Sequence, residues 1–300
     1  MRISDLNRVG CKLSLGEENK WWITGDKDSV RLAEKMSVIM NLEKCTKDSS
    51  PKIIFFSNRD EYDAELLRQG WDFQDFKSVY IWYHKDSADI ICETKYNEAK
   101  YRNHVSADFL NIRFSLWSVH QKIINDGGMP FHSALIEIEK QGVLITAPSD
   151  TGKSTCCSRI PYPWKPLCDD EVLIVLDKQK NYHAYPFPTW SNYTLGLSDN
   201  SYNVQHFLPI SGIFFLEQSK VDRVTPIKKS QAAVLTFESS AEIMRRYWSL
   251  SSREDLATEQ RSKLFNNAVE MSKRIPAFQL EARLDGKFWE EMEKAINLSV

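Results

Sequence analysis

Residues Gly142 to Thr155 read GVLITAPSDTGKST, and the chemistry sits at the end of that run. An apolar stretch leads into a turn, and Gly152-Lys153-Ser154-Thr155 then opens a helix. This order suits a polyphosphate, because backbone N–H groups converge on an anion while a lysine reaches its outer phosphates. Lys153 is expected to neutralise charge on the β- and γ-phosphates, and Ser154 to turn its hydroxyl to Mg²⁺. Thr151, Gly152 and Thr155 add backbone or hydroxyl donors, with Ser149 and Asp150 completing the loop. Downstream, Asp169-Asp170 places two carboxylates side by side. One of such a pair can bind the metal while the other accepts a proton from an attacking hydroxyl. The set points to a protein that handles a nucleoside triphosphate together with Mg²⁺, with the base, ATP or GTP, left open and ATP taken as the expected cofactor.

Two positions depart from the strict phosphate-loop pattern GxxxxGK[ST]. Ala147 stands where the first glycine belongs, which removes φ > 0 conformations that glycine takes freely. Asp150 puts a carboxylate in a loop built for anions, although aspartate tolerates a left-handed backbone and can point outward. The gap from Lys153 to Asp169 is tight for a helix and a returning parallel strand; a crossover of about a dozen residues suffices. Many phosphate-loop enzymes carry their second acidic motif further on, so the spacing argues for a distinct subclass. His132 heads the strand entering the loop hairpin, and a lone histidine is more often structural than catalytic.

The elements that must position these residues are legible in outline. Lys20 to Thr24 reads as a strand, and a helix capped at Asp28 or Ser29 covers Val30 to Leu42. Pro51 to Phe56, Ser78 to Tyr83 and Asp89 to Thr94 are β-rich. Trp21, Trp22, Trp71 and Trp82 suit core packing better than a peptide groove. One helix is expected from Asp108 to Asn125, ended by Asp126-Gly127-Gly128. Beyond Pro130 strands follow one another: Ser133 to Ile138, a hairpin turn at Lys140-Gln141-Gly142, Val143 to Thr146, Glu171 to Leu176, Tyr182 to Pro186 and Gly212 to Glu217. Pro161, Pro163 and Pro166 keep the helix after the loop short. Helices are expected over Ser240 to Tyr247, Glu254 to Arg274 and Gly286 to Leu298, with a strand from Ala277 to Glu281. The fold class is α/β with mixed α+β character: an N-terminal α/β domain over residues 1–105 and a nucleotide-binding domain over 106–300.

Composition narrows the function classes. Across 300 residues, 39 basic side chains nearly balance 41 acidic ones, so no long-range field recruits nucleic acid or an anionic membrane. A hydrophobic content of 42% with 12% aromatics fits a packed globular chain. No apolar run approaches the ~20 residues that span a bilayer. The opening residues lack the apolar core of a secretory signal, so a cytoplasmic address is expected. Cys11, Cys45, Cys92, Cys156, Cys157 and Cys168 form no CxxC pair and no zinc-finger spacing, which suits reduced structural thiols.

Four features together resemble the HPr kinase/phosphorylase catalytic domain, which shares its core with phosphoenolpyruvate carboxykinase. They are His132-Ser133-Ala134-Leu135, the hairpin strand Gly142-Val143-Leu144-Ile145, Ser149 to Thr155, and Asp169-Asp170-Glu171. The resemblance implies a phosphate-loop core with a mixed sheet. It also implies catalytic roles for His132, Lys153 and Asp169, with Asp169 as base for a seryl hydroxyl and Asp170 and Ser154 nearest the metal. The N-terminal half differs from a bacterial HPr kinase, and the Arg-Gly motif of the phosphorylase reaction has no counterpart, which leaves the oligomeric state open. The chain is more similar to divergent HPr-kinase-like proteins found with ribosomally made, modified peptides, including the SynChlorMet cassette type and lasso-precursor kinases. Tyr185-Pro186-Phe187-Pro188-Thr189-Trp190-Ser191 is similar to an element of those proteins, and it reads either as a rigid wall of a substrate groove or as a packed surface loop.

The resemblance implies a kinase acting on a serine of a peptide or small protein. Ala147 and Asp150 favour an alternative, a nucleotide-gated protein that escorts a precursor peptide without phosphotransfer. A carboxykinase-like enzyme acting on a small metabolite is a third reading, and Arg245 and Arg246 are the pair it requires.

Overall fold

Cys11 and Leu13 are buried while their neighbours in the chain are not, and the segment they mark, Val9–Ser14 (β1), is a strand covered on one face. The computed structural model describes residues 9–46, 52–56, 63–76, 79–84, 89–94, 104–194, 201–250 and 253–297. Pro51, Ser78, Leu298 and residues 95–103, just before the expected boundary at 105/106, lie outside them. After β1 come Lys20–Gly25 (β2), Val30–Ile39 (α1), Glu43–Thr46 (β3), Lys52–Phe56 (β4), Asp63–Arg68 (α2), Trp71–Asp75 (β5), Val79–His84 (β6) and Ile90–Thr94 (β7). His104–Ser115 (α3) and Trp117–Asn125 (α4) follow.

The seven strands form a mixed sheet in the order β3-β1-β2-β4-β7-β6-β5, with β2-β4-β7 parallel. Trp21, Trp22 and Trp82 are buried in its core. Trp71 is half-buried and packs edge-on against His84 at 5.2 Å. Strands β1, β3 and β5 carry short or mixed patterns and were not expected. Ser29 is the N-cap of α1, as expected, but its side chain makes no cap bond; Asp26 Oδ1 accepts from the backbone N–H groups of Ser29 at 2.7 Å and Asp28 at 3.2 Å. The single helix expected to Asn125 is two helices. They part at Leu116, beside Ser115, whose hydroxyl donates to the Ile112 carbonyl at 2.6 Å.

Met129–Ile138 (β8), Gln141–Thr146 (β9), Lys153–Arg159 (α5), Lys165–Cys168 (β10), Glu171–Leu176 (β11), Tyr182–Phe187 (β12) and Trp190–Thr194 (α6) come next. Leu208–Gln218 (β13), Arg223–Pro226 (β14), Lys229–Leu250 (α7), Glu254–Arg274 (α8), Ala277–Ala282 (β15) and Phe288–Asn297 (α9) complete the chain. Two strands of the second sheet each pair with three others. The first half of β8 pairs with β11 and the second half with β9 and β10. Strand β13 pairs with β12, then with β9 and β15 in parallel. The ladders β8-β11-β12-β13-β9 therefore close on themselves. The hairpin between β8 and β9 turns at Glu139-Lys140, both with positive φ (49° and 63°), one step earlier than expected and without glycine.

Side-chain alternation places helices on both faces of β8 and β9. Ala134, Ile136, Val143 and Ile145 share a core with Cys156 of α5 and with Phe288, Met292 and Ile296 of α9. On the other face Thr146 Oγ1 meets Ser239 Oγ of α7 at 2.8 Å. Burial from both sides explains the nearly unbroken apolar run of β9. β9 and β10 both pair antiparallel with the second half of β8, so they run in the same direction and α5 is the short crossover between them, as the tight gap from Lys153 to Asp169 allows.

Contacts gather Met1–Lys122, Trp190–Gln205 and Arg246–Ala257 into one compact unit, and Ile123–Thr189, His206–Arg245 and Thr258–Val300 into a second. This grouping is not the single cut expected near residue 105. Later aromatic residues complete the first unit: Tyr193 lies 5.4 Å from Phe109, and Tyr247 5.8 Å from Phe76, ring centre to ring centre. All six cysteines are free. Burial raises the thiols of Cys156 to about 11 and of Cys157 to about 12, so neither is a ready nucleophile. No helix among the described residues is long and apolar enough to cross a membrane.

Candidate functional site

The site is assembled in the second unit by three pieces of backbone. Strand β9 delivers the loop Ala147–Gly152, and Gly152, at φ 112°, starts α5 in a conformation that strongly favours glycine. Asp150 adopts the left-handed region at φ 62° and is exposed. Thr151 is pinned at its carbonyl by Gln218 Nε2 at 3.1 Å. Strand β8 bends where its ladder passes from β11 to β9, and His132 lies at that bend, opposite Glu171. The tight link between β10 and β11 brings Asp169-Asp170 alongside, with the Ser133 N–H donating to the Asp170 carbonyl at 3.2 Å.

Lys153 is buried, and its ammonium donates to the Ala147 carbonyl at 2.7 Å and the Pro148 carbonyl at 3.4 Å. Burial lowers its pKa, and the charges of Glu242, Asp170, Asp169 and Asp150 offset part of that shift. The amine is thus held where anionic oxygens would strengthen its charge. Ser154 donates to Asp169 Oδ2 at 2.7 Å, and Thr189 donates to Asp169 Oδ1 at 2.6 Å. Both carboxylate oxygens of Asp169 are engaged. Ser154 therefore meets Asp169, not Asp170, the aspartate expected beside it at a metal ion.

Asp170 faces His132 instead, with Nε2 3.3 Å from its Oδ1. The other ring nitrogen, Nδ1, is 2.8 Å from Glu242 Oε2, a charge contact whose direction falls short of a hydrogen bond. Burial works against a charged imidazole, but the carboxylates of Asp170 and Glu242 outweigh it, and the His132 pKa stands above its ordinary value. Glu242 also accepts from Ser149 Oγ at 3.1 Å, tying the loop to α7. Of the expected residues, Ser154 meets Asp169, Asp170 meets His132, and Ser149 joins them through Glu242, while Lys153 bonds its own loop and feels the charge of both aspartates. Thr155 is exposed on the first turn of α5. Arg245 and Arg246 are exposed on α7. Among the described residues, no hydrogen bond or ion pair links Arg245 to this group.

Two participants were not foreseen. Glu242 lies within the helix expected over Ser240 to Tyr247, but it belongs to no local motif, and Ser239 and Ser240 beside it bond to carbonyls of β8. Thr189 lay within the proline-flanked segment that drew notice, yet its bond to Asp169 follows only from the end of β12 lying beside the aspartates.

Hard oxygen donors for Mg²⁺ are present in Ser154 Oγ and the tandem carboxylates. No group of three or more His, Cys, Asp or Glu side chains able to hold a metal occurs among the described residues. That donor set fits Mg²⁺ carried in by phosphate oxygens, an ion that commonly takes one or two protein carboxylates and keeps several waters.

A family model described as SynChlorMet cassette protein ScmC matches residues 90–297, well over half of the chain. No curated protein is similar enough to match.

Proposed function

The chain belongs to the SynChlorMet cassette protein ScmC family, and from that footing we propose an ATP- and Mg²⁺-dependent kinase that phosphorylates a serine hydroxyl on a peptide or small protein. One observation carries the reading. Lys153, Ser154, Asp169, Asp170 and His132, drawn from α5, the β10–β11 link and β8, are joined by direct contacts and shared charge. An HPr-kinase-like core, as the motifs imply, is part of this proposal.

Each side chain has a role within its reach. Lys153, buried and depressed in pKa, gains most from binding phosphate oxygens and stabilises charge spreading over the transferring group. His132, held toward its charged form, adds a second positive group near the same oxygens. Asp169 is aimed by Thr189 and accepts the proton of the attacking hydroxyl. The acceptor oxygen bonds to the γ-phosphorus as the bond to the β-bridging oxygen breaks, leaving ADP. Ser154 and Asp170 would hold Mg²⁺, which supplies charge neutralisation and orientation of the phosphates. The peptide acceptor and a role in peptide modification rest on the family resemblance.

Incubation with γ-labelled ATP and candidate peptides tests the proposal. Lys153→Ala is expected to cut transfer by about 10²–10³-fold, and Asp169→Asn to retain ATP binding while transfer stops. An escort protein would bind nucleotide and move no label. Transfer by Asp169→Asn at the wild-type rate would remove that residue's role as base.

A further inference from the structure

A cleft of about 240 Å³ opens beside the loop, lined by Thr151, Gly152, Arg159, Leu216, Gln218 and Leu284 among others. It lies where the parallel strands β9, β13 and β15 end, since Thr146 aligns with Phe215, and Gln218 with Ala282. The carboxyl ends of parallel strands are where open α/β sheets receive ligands. At Gly152 a side-chain carbon would meet nothing within 4 Å, so the cleft reaches the loop backbone and shares Thr151 and Gly152 with it. Its volume is below the ~300–1,000 Å³ of pockets for drug-sized ligands, which suits one planar ring system and not a peptide.

The far wall is braced. Arg159 donates to the carbonyls of Arg283, at 3.1 Å, and of Gly286. Asp222 accepts from the backbone N–H groups of Arg283 and Lys287, both at 2.8 Å. These bonds fix the loop Arg283–Lys287 before α9. The Phe288 ring covers one face of the Arg159 guanidinium, 5.7 Å from its centroid. Arg159 lines the cleft and Phe288 does not, which turns the other face of that plane toward the opening. A guanidinium held flat by bonds at its rim is a platform for an aromatic ring. Leu284, on the loop that Arg159 braces, also lines the cleft and is 79% exposed.

We infer that this cleft receives the base of the nucleotide, stacked on Arg159 and closed over by Leu284, while the phosphates run past Gly152 to Lys153. The inference rests on reading Gly152–Thr155 as a triphosphate cradle and adds a second, apolar contribution to affinity. Arg159 directs N–H groups at two backbone carbonyls, so the face of its guanidinium is what it offers the base.

Calorimetry on the intact chain with Mg²⁺ separates the two halves of the ligand, using ATP and inorganic tripolyphosphate as probes. ATP is expected to bind the wild-type protein more tightly than tripolyphosphate. Leu284→Asp, at an exposed position that folding does not depend on, is expected to weaken ATP by about tenfold and leave tripolyphosphate unchanged. Leu284→Phe is expected to keep ATP affinity. Equal affinity for the two probes, or an ATP affinity untouched by Leu284→Asp, overturns the cleft assignment and leaves the cradle standing. Failure of the wild-type chain to bind either probe overturns the cradle and the cleft together.

Discussion

Asp169 takes one hydroxyl on each carboxylate oxygen, at 2.7 Å from Ser154 and 2.6 Å from Thr189. A carboxylate held at both oxygens keeps its orientation, and orientation is what a base needs when a reacting hydroxyl arrives. Thr189→Val removes one hold while conserving shape. Turnover is expected to fall by about 10- to 100-fold with KM for ATP unchanged, because Lys153 and the loop are untouched. Steady-state kinetics decides it, and a rise in KM for ATP at constant turnover would mean that Thr189 serves binding instead. Lys153, Ser154 and the aspartates were legible in the chain because a phosphate cradle demands those residue types in a local order. Thr189 and Glu242 were not legible. Neither belongs to a local pattern, and each gains its role only from a partner far away in sequence.

Strand ends and turns hold the β-ring together, and the link between β11 and β12 shows how. Asp177 accepts from the Asn181 N–H at 2.7 Å and contacts His183 Nε2 at 2.9 Å, while Lys180 takes a positive φ of 66°. Slight burial pushes the Asp177 carboxyl up, but these donors prevail and hold it below its ordinary value. A depressed carboxylate contributes stability above its unfolded pKa of ~3.9, and that contribution is lost as pH falls through its folded value. Asp177→Ala is expected to cost about 1–2 kcal/mol at pH 7, with the penalty shrinking below about pH 4. Urea unfolding at both pH values measures it, and equal penalties would contradict the ionised-acceptor role. Most strands and the Glu254–Arg274 helix could be read from periodicity. Helix α7 was read at less than half its length because Thr236, Ser239 and Ser240 are buried polar residues, chosen for close approach to β8 and not for apolar contact.

The two units are woven from the chain, not strung along it. In the first, Tyr202 donates its N–H to the Ile39 carbonyl at 2.8 Å, and Gln205 Oε1 accepts from the Ser14 N–H at 3.0 Å. Arg253 reaches Asp72 at 3.3 Å and Tyr247 packs on Phe76. A fragment of residues 106–300 keeps Tyr202, Gln205, Tyr247 and Arg253 but loses every one of those partners. It is expected to expose apolar surface, bind a hydrophobic dye and self-associate. Size-exclusion chromatography and dye fluorescence check this, and a monomeric, dye-silent fragment melting like the intact chain would show that a cut near 105 respects the folding units after all.

The order of residue types along the chain is enough to specify a mixed α/β protein with a Gly-Lys-Ser loop ahead of a short helix and an acidic pair after it, because strand alternation, proline stops and short motifs are all written over a few neighbouring positions. It does not specify that Ser154 bonds to Asp169, that Glu242 and Asp170 flank His132, or that residues 190–205 and 246–257 return to the first unit. Those outcomes depend on which ladders β8 and β13 join and which helix faces cover them. Such long-range pairings are selected by the burial of the whole core, and no local stretch of sequence carries that information.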